Sequence, residues 1–430
     1  MRYLSFIFLV FVACVPLTPT ASDSTPSKKL ILNDHTYEPD IKTVQLSPTS
    51  NGRVEETRSP VLSLRGSGKL VLSFDELHHD VDDYRVKIMH CNADWNRSRL
   101  NDIEFLATFN EYQITEFEQS FNTRTPYIHY TISLPKVKKS GNYIAAVFRG
   151  DNENDLILTQ RFMVFESVVG VIPNIGLSSS ITQRNHNQQI EFDIKYDNLE
   201  VQNPLEEIAV VIRQNQRWDN AISGLKPTFI REFQKKLEYH FFNSESNFKG
   251  GNEFRFFDLR SINFAGININ NIDPTEKEIT ANMMVDISKR EEAYTYTRDL
   301  NGQYFVGKIE SSSPEVDGDY VQLNFFLKTP EIKNAKVYIG GDLTGWQWTR
   351  ENRMVYSEQF GGYLGQLVLK QAWYNYIYHV ESEQINNPYY LEGSHFQTEN
   401  FYEIFVYHRP IGTRGDALVG YLQLNSNSLR

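Results

Sequence analysis

The sequence predicts an all-β chain of tandem immunoglobulin-like β-sandwich domains, and three observations predict it. Apolar and polar residues alternate with period 2 in run after run. Aromatic residues are abundant, with 24 Tyr and 28 Phe. Turn-forming clusters separate the runs. Successive side chains of a strand point to opposite faces, and flat rings pack well on a half-buried pleated surface. Many short strands punctuated by turns are the pattern of a sandwich.

The alternating runs supply the elements. Tyr84–His90 places Tyr84, Val86, Ile88 and His90 on one face. Tyr127–Leu134 aligns Ile128, Tyr130, Ile132 and Leu134. Gln189–Tyr196 sets Ile190, Phe192, Ile194 and Tyr196 against Gln189, Glu191, Asp193 and Lys195. Val321–Leu327, Ala372–Val380 and Tyr402–His408 read as strands in the same way. Ser140-Gly141-Asn142, Gly250-Gly251-Asn252, Asn301-Gly302 and Asp317-Gly318-Asp319 mark turns. Only Ser98–Phe109 and Thr228–Tyr239 have the composition of short helices.

Length and punctuation divide the chain. Its 430 residues allow two to four domains. Residues 28–167 form an expected N-terminal sandwich. Residues 166–176, with Gly170, Pro173 and Gly176, read as a crossing linker. Residues 177–310 form an expected middle β-rich domain. Ser311-Ser312-Ser313-Pro314 marks a second boundary, and residues 317–408 form the expected C-terminal sandwich. The tail 409–430 holds Pro410, Gly412 and Gly415 and reads as extended and exposed. The expected arrangement is three sandwiches in series.

The first residues indicate export. Met1-Arg2 is a basic start and Leu4–Val12 an apolar core, so residues 1–21 read as a secretory signal peptide. No later segment reaches the ~20 apolar residues that a spanning helix needs. Val12-Ala13-Cys14 resembles the end of a bacterial lipoprotein signal, in which Cys14 would carry a lipid; Phe11 stands where such signals have Leu. The other reading is an incidental Cys in a cleaved leader. Without the leader, Cys91 is the one remaining cysteine, so no internal disulfide is expected. A net charge of −11 disfavours nucleic acid and anionic membrane as partners.

Catalytic signals are scarce. His90-Cys91-Asn92-Ala93-Asp94-Trp95 concentrates chemistry-bearing residues, yet C-x-x-C spacing is missing and nothing in the sequence brings a second His to Cys91. Asn92, Asp94 and Asn96 suit a turn after a strand. Asp151–Asp155 offers oxygen ligands for Ca²⁺, but lies where a hairpin loop is expected. Asp80-Val81-Asp82-Asp83 reads as the same kind of loop. No G-x-S-x-G, phosphate loop or H-E-x-x-H occurs. The expectation is a non-enzyme with no cofactor and no metal.

Val337-Tyr338-Ile339-Gly340-Gly341-Asp342-Leu343-Thr344-Gly345-Trp346, followed by Trp348, resembles an early-set sandwich of the glycogen-binding-module kind. That resemblance makes Trp346 and Trp348 candidate glycan contacts and a carbohydrate-binding protein the alternative function. The structural alternative is that Trp346 fills the core and Trp348 packs under a hairpin.

The run Tyr84–Trp95 resembles the hallmark of the type IX secretion system plug family. Tyr127-Ile128-His129-Tyr130, Leu134-Pro135, Ser140-Gly141-Asn142-Tyr143 and Asp299-Asn301-Gly302-Tyr304-Phe305 are similar to further parts of it. So is Gly250-Gly251-Asn252-Glu253-Phe254-Arg255 with Asp258 and Arg260-Ser261. His90, Cys91, Asn92, Asp94, Trp95, Gly251, Asn252, Glu253, Phe254 and Arg255 are thus family-motif residues with expected structural roles. The resemblance implies a Bacteroidetes-type bacterium and a periplasmic location on the inner side of the outer membrane. It further implies a partner in the outer-membrane translocon barrel, whose pore the plug closes when no cargo is engaged.

Overall fold

The computed structural model describes residues 28–274 and 278–429. The leader and Cys14 lie outside the described residues. Strands dominate, and the helical elements are single turns such as Asp102–Phe105 and Pro314–Asp317.

The first sandwich packs two sheets. One carries the neighbouring strands Leu156–Phe165, Gly141–Arg149 and Tyr84–Cys91; the other carries Ile41–Ser50, Leu70–Glu76 and Ile128–Ser133. Leu72, Phe74, Tyr84, Val86, Ile88, Tyr130 and Tyr143 fill the space between. The strand Gly141–Arg149 is buried from Gly141 to Phe148 without alternation. Tyr143, Ala145 and Val147 face the first core, while Ile144 and Ala146 face a second apolar cluster beyond the sheet. A strand covered on both faces loses its polar side, and that cover comes from the next sandwich.

The second sandwich departs from the expected boundaries. Its first sheet runs Gly170–Leu177, Asn187–Lys195, Lys236–Tyr239, Phe229–Arg231. Gly170–Leu177, read as linker, is therefore a strand, paired along its length with Gln188–Lys195. Thr228–Tyr239, read as helical, is a hairpin with a 3₁₀ turn at Glu232–Gln234, because Phe229 pairs with Glu238 and Arg231 with Lys236. The opposing sheet joins Ile208–Gln214 to Phe401–His408 and then to Ala417–Asn425. The expected exposed tail 409–430 thus contains a strand whose Leu418, Val419 and Leu424 are buried. The chain leaves this sandwich after residue 249, builds the third, and returns to complete it.

The third sandwich absorbs the expected second boundary. Arg255–Asp258 pairs with Trp373–Tyr376, and Ile279–Asn282 runs parallel to Val321–Asn324. Phe257 stacks on Tyr374 at 5.1 Å and meets Phe325 edge-on. Residues on both sides of Ser311–Pro314 therefore share one core. The sandwiches do not lie in series. Each touches both others, around a central cavity of about 1260 Å³.

Candidate functional site

The hallmark block is the seam between the first and second sandwiches. Met89 and Cys91 project from the strand Tyr84–Cys91 into a cluster with Val211, Phe405, Tyr407 and Leu418 of the second. The turn that follows is fastened to the returning hairpin. The Ala93 N–H donates to Asp416 Oδ2 at 2.8 Å, and the Asp416 N–H donates to Asn92 Oδ1 at 3.3 Å. Asn142 Nδ2 donates to the Asn92 carbonyl at 3.0 Å, and Tyr407 donates to Asn142 Oδ1 at 2.9 Å. Asp94 caps its own turn by accepting from the Asn96 N–H at 3.0 Å. Trp95 adopts φ +64°, a costly backbone for a bulky residue. Its indole meets Trp218 edge-on at 5.0 Å.

This environment suppresses thiolate formation at Cys91 and protonation of His90. Cys91 is 0% exposed, and burial pushes its thiol up to about 12, so it carries almost no thiolate at neutral pH. Burial pushes His90 down to about 4, leaving its imidazole neutral between Tyr143 and Phe105. Gly141 is required here: at φ +152° a Cβ would sit 2.3 Å from His90 Nε2.

Sequence reasoning missed the hub of the molecule. The segment Arg213–Asp219 turns sharply, with Asn215 and Gln216 both at positive φ. Arg213 forms a buried pair with Glu403 at 2.6 Å, lies 4.5 Å from the Trp218 ring centre, and donates to Ser59 of the first sandwich at 3.1 Å. Gln216 donates to the Thr57 carbonyl at 2.8 Å. Arg217 points the other way. It grips Asp219 through two nitrogens, donates to Tyr389 Oη at 2.7 Å, and lies over the Trp346 ring at 4.1 Å. Buried arginine on an aromatic face gains from both charge and stacking. The available signal was Gln-Asn-Gln-Arg-Trp directly after a strand: two donor-rich planes at a turn.

The second motif is the crossing between the second and third sandwiches. A Cβ on Gly250 would meet the His395 carbonyl at 2.0 Å, so only glycine fits. The His395 N–H donates to the Gly251 carbonyl at 2.8 Å, and Asn252 Nδ2 to the Glu392 carbonyl at 2.9 Å. Glu253 accepts from Tyr294 at 2.5 Å. Phe254 meets the Trp346 edge at 6.0 Å. Arg255 donates to Glu392 and, at 2.8 Å, to Asp286.

The two candidate glycan contacts are committed internally. Trp346 is 9% exposed between Phe254 and Arg217. Trp348 is half-buried and stacks on His379 at 3.8 Å, close over Gly340. Neither arrangement leaves the pair of open, coplanar faces that sugar stacking uses. The Asp151–Asp155 loop is a turn in which Asp155 binds Lys28 at 2.7 Å and Arg149 at 3.0 Å.

The first and third sandwiches meet through a buried charge pair. Lys370 reaches Asp75 at 2.6 Å; the pair is 1% and 0% exposed. Tyr320 and His129 complete the shell of Asp75, each at 2.6 Å. Lys370 also lies over the Tyr127 ring at 4.2 Å and donates to the Glu315 carbonyl. Burial would raise Asp75, but the Lys370 ammonium and His129 outweigh it and hold the carboxyl below its ordinary range.

Asp342 lines the central cavity, and burial, reinforced by Asp34, pushes its carboxyl up to about 7. Its folded value thus lies above the unfolded one. The folded chain holds the extra proton from about pH 4 to 7, and the resulting stability is lost as pH rises through 7. Asp342→Asn should therefore be slightly stabilising at pH 5, where the loss has only begun, and more so at pH 8, by about 1–2 kcal/mol further after screening by cavity water. Urea midpoints at the two pH values check this; the same difference at both would refute the protonation argument.

Residues 41–166 match the family model described as type 9 secretion system plug protein 1st domain. The whole chain is similar to the crystal structure of a hypothetical protein from Parabacteroides merdae, at 28% identity and a TM-score of 0.86. The match covers 93% of this chain and 100% of that one. No curated protein matches. Among the described residues no helix is long and apolar enough to cross a membrane.

Proposed function

We propose that this chain is a periplasmic stopper, a reading supported by the match of residues 41–166 to the type 9 secretion system plug first-domain model. On this reading it closes the mouth of the outer-membrane translocon barrel while no cargo is engaged, and makes or breaks no covalent bond. The single observation that carries the reading is the bracing of three sandwiches against one another by buried seams. An idle wide pore leaks solutes, and its filler must be bulky and must resist deformation. A chain of loosely linked modules would flex; three bodies in mutual contact give one stiff object. The reading is further supported by a Cys91 held as a buried, protonated thiol, which leaves the hallmark block almost no thiolate at neutral pH.

Release also has to be possible. A reversible contact is smaller and more polar than an obligate one, and a net charge of −11 favours a solvated surface. Deletion of the gene in a strain with an intact translocon should raise uptake of a large antibiotic several-fold. Unchanged uptake would count against the stopper, as would turnover of any substrate by the purified chain.

A further inference from the structure

We propose that Glu76, His78 and Asp82 form a binding site for a divalent transition metal, with Zn²⁺ as its natural probe. These residues flank and occupy the connection between the strands Leu70–Glu76 and Tyr84–Cys91 of the first sandwich. Their ligand-capable atoms all lie within 4.8 Å of one another. One imidazole nitrogen with two carboxylates is a donor set suited to Zn²⁺ and its neighbours.

Two features favour a cation at this place. The first is Glu76, only 2% exposed, whose Oε2 is enclosed without a hydrogen-bond partner. A buried carboxylate oxygen left unpaired is costly, whereas a metal ligand is satisfied. Its Oε1 is held by Tyr84 at 2.5 Å, which fixes the carboxylate's orientation. The second feature is charge. Glu38, Glu76, Asp82 and Asp155 are gathered around two permanent cations, Lys28 and Arg149, among the described residues. Four negative charges against two positive leave a surplus of two, the charge of one dication. Of the four, Glu76 lies farthest from these two charges, with Arg149 at 3.8 Å.

The geometry needs a small adjustment that the loop permits. His78 Nε2 lies 2.7 Å from Glu76 Oε1, and His78 Nδ1 accepts from the Asp80 N–H at 3.2 Å. Ligation through Nε2 moves the ring proton to Nδ1, and the exposed Asp80 N–H turns to water. Tetrahedral coordination at about 2.1 Å draws the three ligands to about 3.4 Å apart. Asp80, Val81 and Asp83 are exposed, so the connection can close inward. The fourth position is left to water. Bound metal would tie the loop to the buried end of Glu76 and so stiffen this end of the first sandwich.

The test uses the full mature chain, stripped with chelator and titrated calorimetrically with ZnCl₂ at pH 7. One site of about 10 µM or tighter is expected, with a thermal unfolding temperature that rises with Zn²⁺. His78→Ala and Asp82→Asn should each weaken it at least about tenfold and abolish the thermal rise. His78 is at the surface, so metal-free unfolding of its variant should match wild type; Asp82→Asn provides the second reading if it does not. Binding of unchanged strength in both variants would overturn the assignment, as would wild-type binding weaker than about 100 µM.

Discussion

Replacing Lys370 with alanine is expected to lower unfolding free energy by about 3–5 kcal/mol, the usual result of stranding one partner of a buried ion pair. Asp75 would remain 0% exposed with only His129 and Tyr320 as partners. The loss is read as a fall in the urea midpoint with the slope retained. A double variant, Asp75→Asn with Lys370→Met, should lose less than the sum of the single changes, because the stranded charge is gone. The damage should localise at the seam between the first and third sandwiches, where Tyr127 donates to the Gly318 carbonyl and the Arg124 N–H to Asp319. A Lys370→Ala midpoint indistinguishable from wild type would mean that this pair does not hold the two bodies together.

Truncation after Gly415 is expected to be more severe still. It removes the strand Ala417–Asn425, and with it the buried Leu418, Val419 and Leu424. At about 1.5–3 kcal/mol for each large apolar side chain, the loss of about 5–9 kcal/mol rivals the whole margin of a typical domain. It also removes Asp416, to which the hallmark turn is fastened through Ala93, and bares an edge of Phe401–His408 to intermolecular pairing. The shortened chain should be insoluble or rapidly proteolysed. A soluble, protease-resistant product with native near-ultraviolet circular dichroism would show the terminal strand to be dispensable.

Much of the architecture was legible because it is local. Tyr84–Cys91, Ile128–Ser133, Asn187–Lys195 and Tyr320–Lys328 are strands wherever alternation announced them. The misreadings share a cause: each depended on a partner distant in sequence. Thr228–Tyr239 carries helix-compatible residues, but the pairing of Phe229–Arg231 with Lys236–Glu238 overrides a weak propensity. The segment after Pro410 looked like a tail because Pro and Gly punctuate it. Nothing within Ala417–Asn425 reveals that it lies beside Phe401–His408, which in turn pairs with Ile208–Gln214 nearly half the chain away.

The site was legible in residues but not in role. His90–Trp95 and Gly250–Arg255 stand out in the sequence, and the structure places both at seams between sandwiches. Arg213, Arg217 and Trp218 passed unnoticed, since a hub is defined by what converges on it from other segments.

By itself the sequence determined the all-β class, most of the strands and the resemblance to the plug family, because side-chain alternation and ungapped motifs are properties of contiguous residues. Only the tertiary structure decided that the second sandwich is closed by the chain's last strand, that the three bodies brace one another, and that Cys91, Trp346 and Lys370 are sealed inside seams. Burial and charge pairing arise from segments meeting across hundreds of residues, and no local pattern encodes which segments meet.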